Sequence, residues 1–200
     1  EIDRVQSDKP TRQNVEASGR EALIEAARTL FAERGIEGVS IRELGRAAEQ
    51  RNNNAVQYHF GDREALLFAV LGPHNERVGA RRAALLDELE VEATLSVRSL
   101  AGALVRQSAA MLSDTAGRDY LRIVAELIGD PANTRRRGPF DGTELNRWNR
   151  LAKQHMAEST LPLHRRFSAM NLCFSELGRR ADARRRGDHR LFVSDVVDLV

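Results

Sequence analysis

Apolar positions recur every three or four residues along almost the whole chain, and no alternating apolar–polar stretch is long enough to predict a strand. Ile24, Ala27, Leu30 and Phe31 share one face and predict a first helix over about 18–34, with Gly35 placed to end it. Ser40-Ile41-Arg42-Glu43 then reads as a capping box, in which the serine hydroxyl and the glutamate carboxylate each satisfy an orphan backbone amide. Val39 and Leu44 stand at the two positions of a hydrophobic staple around it. The apolar face of this second helix continues through Ile41, Leu44, Ala47 and Ala48 until a polar break at Glu49-Gln50-Arg51-Asn52. A short third helix over about 53–60 carries Val56 and Phe60, four apart, as its inward pair. Gly61-Asp62 closes that helix and caps the next one, with Glu64 favourably placed in its first turn.

Beyond this unit the apolar run 65–71 is followed by Gly72-Pro73, which predicts an interruption. Further helices are expected at about 74–90, 94–113, 117–129, 143–157, 162–186 and 189–200, with 130–142 the one long loop. Residues 1–17 are polar, contain Pro10 and lack periodicity, so a disordered arm is expected there. The fold class is therefore all-α, with a three-helix helix-turn-helix unit at 18–61 and a larger helical bundle over 62–200.

Composition changes this picture little. With 42% hydrophobic and 30% charged residues, the 200-residue chain has the makeup of an ordinary globular protein. No stretch approaches the roughly 18 apolar residues of a membrane span, and the polar opening does not read as a signal peptide. The single cysteine, Cys173, excludes an intramolecular disulfide or a multi-cysteine zinc site and fits a reducing, cytoplasmic setting. The chain opens without methionine and closes within an apolar-periodic run, so further residues are expected at both ends. Charge gives the helix-turn-helix no help: residues 1–62 hold nine basic against eleven acidic side chains, a regional balance of −2. Any affinity for nucleic acid must come from placement.

Placement is favourable. A third helix in this arrangement uses one face to hold the first two and offers the other to base edges and phosphates. Asn53, Asn54, Gln57, Tyr58 and His59 are hydrogen-bonding side chains of suitable reach, and Asn or Gln can pair bidentately with adenine. Arg51 in the turn and Arg63 beyond Asp62 are placed to neutralise phosphates on either side. Asn-rich turns by themselves usually do no more than cap helices; the ordered series of cap, turn, amphipathic helix and second cap outweighs that bland reading.

The stretch from Ala22 to Leu67 resembles the tetracycline-repressor (TetR) family of bacterial regulators. The resemblance is carried by Leu30-Phe31-Ala32-Glu33-Arg34-Gly35, Val39-Ser40-Ile41-Arg42-Glu43-Leu44 and Tyr58-His59-Phe60-Gly61-Asp62-Arg63-Glu64-Ala65-Leu66-Leu67. It implies an all-helical homodimer that binds a near-palindromic operator in double-stranded DNA, commonly a repressor released when a small effector enters the C-terminal domain. It also places Ser40 where the start of the second helix meets a phosphate. The chain departs from the family at Glu49, where glycine is usual, which predicts a strained turn. The Asn52-Asn53-Asn54 run is one residue longer than usual and leaves the register of the third helix open.

For an apolar or amphipathic effector the candidate lining residues are Met111, Tyr120, Phe140, Trp148, His155 and Met156, each of which suits core packing as well. Apolar stripes containing Phe167, Met170, Phe174 and Leu177, and Phe192 and Val196, are candidate dimer-interface positions or ordinary core. No cofactor or metal is expected, since His155, Glu158 and His164 do not make a credible ligand set. An enzyme is disfavoured by the lack of a glycine-rich phosphate loop, a nucleophile motif or a metal-spaced cluster. Two binding alternatives remain: a regulator controlled by a protein partner instead of a ligand, and an architectural DNA binder, which the acidic balance disfavours.

Overall fold

A computed structural model describes residues 12–50, 52, 54–129, 143–156, 165–183 and 188–200. Its helices are α1 (Arg12–Arg34), α2 (Ile41–Ala47), α3 (Ala55–Phe60), α4 (Arg63–Val91), α5 (Val97–Ala109), α6 (Thr115–Gly129), α7 (Thr143–His155), α8 (Arg165–Asp182) and α9 (Arg190–Leu199), with a 3-10 turn at Ala110–Ser113. Among the described residues there is no strand, as the periodicity predicts. The anticipated long loop at 130–142 and the candidate Phe140 lie outside the described residues.

Two boundaries differ from expectation. The first helix begins at Arg12, so residues 12–17 are helical and not part of an arm. The break at Gly72-Pro73 does not occur: α4 runs unbroken from Arg63 to Val91 with Pro73 inside it. Proline removes one backbone donor there, while Leu71, His74, Val78 and Leu86 are all buried on the inner face of the same helix. Burial on both sides of the proline holds the helix through it, so tertiary packing overrides the local signal.

Leu23, Ala27 and Phe31 of α1, Leu44 and Ala48 around α2, and Ala55 and Val56 of α3 close a small core against Leu66, Leu67 and Val70 of α4. The staple pair Val39 and Leu44 is buried as expected, but Ile41 and Ala47 of the expected apolar face are exposed. α4 carries the chain into the larger bundle, whose core centres on Leu100 and Leu104 of α5 and Leu121, Ile123, Val124 and Leu127 of α6. α8 crosses α6 in close contact, since a Cβ added at Gly178 would stand 2.5 Å from the Cβ of Ala125. The Cys173 thiol is fully buried, and burial pushes its pKa up to about 12, so it behaves as a small core residue and not a nucleophile.

Candidate nucleic-acid interface

The α2–α3 turn is where the sequence conflicts most with its local structure. Gln50 N–H donates to the Gly45 carbonyl at 2.9 Å and Glu49 N–H to the Arg46 carbonyl at 3.0 Å, the paired bonds of a Schellman cap. That cap requires a left-handed residue after the helix, and here it is Glu49, at φ 54°. A side chain in this region costs about 1–2 kcal/mol relative to the right-handed alternative. Glu49→Gly is therefore expected to raise stability by roughly 1 kcal/mol, less whatever the glycine loses by its greater freedom in the unfolded chain. Denaturant titration checks this; a destabilised variant would mean that the glutamate side chain supports the turn.

The register of the third helix is resolved by hydrogen bonds. The Asn52 carboxamide accepts from Asn54 N–H at 2.9 Å, so Asn52 builds the turn. Asn54 is the N-cap of α3 and makes no side-chain cap bond, leaving its amide exposed. Ala55 and Val56 turn inward and Gln57 and Tyr58 outward, with Tyr58 64% exposed. Arg51 and Asn53 lie outside the described residues.

The outer face of α3 is braced by α1 from the part of it that the sequence leaves unstructured. The Tyr58 hydroxyl donates to Glu16 Oε1 at 3.2 Å. His59 packs edge-on against the Tyr58 ring, with centroids 4.9 Å apart. A Cβ at Gly19 would come within 3.2 Å of the Gln50 carboxamide and 3.4 Å of His59 Nε2, so glycine lets α1 pass close to both. Glu16 thus holds the hydroxyl of one candidate DNA contact, Tyr58, and Gly19 lets α1 pass close to another, His59, roles that helical periodicity alone does not reveal.

Ser40 and Arg63 differ in what they leave free. Ser40 Oγ accepts from Glu43 N–H at 3.3 Å, and Glu43 Oε2 accepts from Ser40 N–H at 2.8 Å, completing the expected box. The backbone and hydroxyl of Ser40, with Arg34 beside it, hold the Glu43 carboxyl down to about 2. The cap's contribution is accordingly full above the ordinary carboxylate range and is lost as pH falls toward 2. Arg63, expected at a phosphate, turns inward instead: its guanidinium donates to the carbonyls of Ile36 and Val39 and lies 5.2 Å from the centre of the Phe31 ring. It holds the loop that carries Ser40.

The same loop is tied to the bundle through α6. Glu126 Oε1 accepts from Ile36 N–H at 2.9 Å, one residue past Gly35, whose φ of 79° ends α1. Nearby, Arg28 of α1 pairs with Asp119 of α6, and Arg122 reaches the other oxygen of the same carboxylate at 3.2 Å.

The candidate effector residues separate into different places. Trp148, His155 and Met156 line one cavity of about 240 Å³, where Trp148 Nε1 donates to the Leu100 carbonyl at 2.7 Å. Tyr120 lines another of about 310 Å³, its hydroxyl donating to Asn75 Oδ1 at 2.8 Å. Met111 is in the core and lines neither. Of the candidate dimer positions, Phe174, Leu177 and Val196 are buried against the protomer's own helices, Met170 and Phe192 are half-buried, and Phe167 is 48% exposed. Among the described residues no group of three or more His, Cys, Asp or Glu side chains is placed to hold a metal, and no helix is long and apolar enough to cross a membrane.

A three-helix unit with an outward polar α3, joined to a larger helical bundle, is the arrangement of a helix-turn-helix protein of the two-part, all-helical kind. The family model described as bacterial regulatory proteins of the tetR family matches residues 23–70, which span the three-helix unit and the start of α4. The chain is similar to the HTH-type transcriptional repressor AcnR of Corynebacterium glutamicum, at 40% identity over 63 residues, which is 32% of this chain and 30% of that protein. AcnR of Corynebacterium efficiens matches at 40% over 53 residues, 26% of this chain and 28% of its own length. The match thus spans less than a third of these curated relatives. In fold, a TetR-family regulator from Rhodococcus sp. aligns over 92% of this chain and 98% of its own, with TM-score 0.52 and 22% identity. A mutant HlyIIR protein aligns over 96% and 98%, with TM-score 0.53 and 17% identity. At such identities these two bear on the fold alone.

Proposed function

We propose that the chain is a transcriptional repressor that binds a near-palindromic operator as a homodimer and leaves it when a small effector enters the C-terminal bundle. Residues 18–61 are the reading unit and 62–200 the dimerisation and regulatory part. The observation that carries this is the outer face of α3: Asn54, Gln57 and Tyr58 stand exposed on a short helix whose inner face is locked into the core. The repressor names of the AcnR relatives favour repression over activation. Exposed Phe167 on α8 and Leu191 on α9, 82% exposed, support a second copy packing there. Cavities in the bundle support a ligand over control by a protein partner, which would leave that space filled.

Selection from random double-stranded DNA tests this directly; recovery of no enriched motif would refute sequence-specific reading. With an operator in hand, Gln57→Ala is expected to weaken binding by about 1–3 kcal/mol and to relax preference at one position per half-site. Tyr58→Ala is expected to weaken binding with the dimer intact by size-exclusion chromatography, and unchanged affinity would remove Tyr58 from the interface.

A further inference from the structure

The cavity of about 310 Å³ between α4, α6, α7 and α8 contains a charge that the fold does not use. Arg82 lines it with only 5% of its surface exposed. Among the described residues its guanidinium receives no hydrogen-bond partner, and Nε is buried with none. An arginine stays charged even when buried, and an unpaired buried charge is among the most unfavourable features a core can hold. Every other buried or half-buried guanidinium considered above has partners: Arg28 has Asp119 and Glu25, and Arg63 has two carbonyls. Glu144 of α7 lies beside the same face of α4, its Cγ 4.0 Å from a Cβ placed at Gly79 one turn before Arg82, and its Oε2 is also buried without a partner. Val78, Leu145 and Phe174 give the cavity an apolar lining beside these two polar groups.

We infer that this cavity binds a small organic acid with an apolar body, its carboxylate received by Arg82 and a hydroxyl or amine donor on the same molecule received by Glu144. A planar guanidinium suits a carboxylate, which can take two parallel N–H donors. The volume suits a ligand on the order of ten non-hydrogen atoms, at about 30 Å³ for each water-sized one. The inference rests on the reading of the C-terminal bundle as the effector-binding part and names the class of effector. Tyr120 lines this cavity, so one of the sequence candidates marks the site, whereas Trp148, His155 and Met156 belong to the other cavity.

The test uses the full chain and four probes: isocaproate, α-hydroxyisocaproate, isocaproamide and inorganic phosphate. Calorimetric titration should show binding of isocaproate, tighter binding of its α-hydroxy form, and neither amide nor phosphate binding. Arg82→Met should raise the Tm of the unliganded protein, because it removes an unpaired charge, and should weaken isocaproate binding by about tenfold or more. Arg82→Lys, which keeps the charge and loses the fork, should fold and bind isocaproate at intermediate strength. Glu144→Leu should leave isocaproate binding in place and abolish the gain from the hydroxyl. A lower Tm for unliganded Arg82→Met, isocaproate binding unchanged by that substitution, phosphate bound in preference to isocaproate, or failure of both acids to bind the wild type would each overturn the inference. Operator binding, followed by fluorescence anisotropy on the same samples, separates the two readings. An operator-binding protein that ignores both acids loses only the inference, whereas binding of the acids without any operator leaves the site standing and removes the regulator.

Discussion

Asp119→Ala is expected to lower stability by about 3 kcal/mol, the usual scale for removing one partner of a buried ion pair. Asp119 is 5% exposed and receives both Arg28 and Arg122, so its loss removes the carboxylate the two share and leaves each with only its more exposed partner, Glu25 for Arg28 and Asp182 for Arg122. The two partners tell different stories about the pair. Burial pushes the Asp119 carboxyl up despite the pull of the two arginines. The Arg28 guanidinium is held above its ordinary value, first by its hydrogen bond to Glu25 and only secondarily by Asp119. Burial dominates at Asp119: the carboxylate is costly to hold, and its arginines are what make it tolerable. A raised folded pKa favours the native state below the unfolded value, and that advantage is lost as pH rises through the folded one. The wild-type protein should therefore gain on acidification a contribution that Asp119→Ala lacks, and the deficit of the variant should widen from neutrality toward pH 4. Denaturant titration at the two pH values measures this. Hydrogen exchange adds a local readout, since amides of α1 next to Arg28 should lose protection first. A deficit below about 1 kcal/mol at neutral pH would mean that solvent replaces the carboxylate and that the clasp is a surface pair in effect.

The clasp also bears on how much of the molecule its sequence discloses. Caps are local, and so they were legible: Ser40, Glu43, Gly61 and Asp62 each do what their spacing predicts, because every partner lies within three or four residues. The strain at Glu49 was legible for the same reason, as a non-glycine residue where the turn needs a positive φ. Contacts between distant segments were not legible. Asp119 and Arg28 are 91 positions apart, and nothing in the neighbourhood of either marks the other. Pro73 misled for the complementary reason, since its local signal is real but the burial of α4 on both sides outweighs it. Arg82 is a third kind of case. In sequence it is one of several arginines on a helix, and only its burial without a partner sets it apart.

Arg63→Ala is expected to cost about 3 kcal/mol, and the form of the loss decides what this residue is. Two charge-assisted hydrogen bonds, at about 1.5–3 kcal/mol each, hold the carbonyls of Ile36 and Val39, and the ring of Phe31 lies under the same guanidinium. Arg63 follows Tyr58, His59 and Asp62 in the stretch most like the family, and from sequence alone a phosphate contact is its expected role. A phosphate contact and an internal strut separate in salt. Losing a phosphate contact lowers the slope of log affinity against log salt by about one and leaves thermal stability nearly intact. Losing the strut lowers Tm, displaces the loop that presents Ser40, and weakens operator binding with the slope unchanged. The observed hydrogen bonds favour the second outcome. Arg63→Lys sharpens the comparison, because a lysine keeps the charge a phosphate needs but cannot fork between two carbonyls. It should recover little of the lost stability if Arg63 is a strut, and most of the operator affinity if it is a contact. The strut also gives Ser40 a fixed position relative to α3, so on the proposed function DNA would meet a loop that the protein's own arginine holds in place.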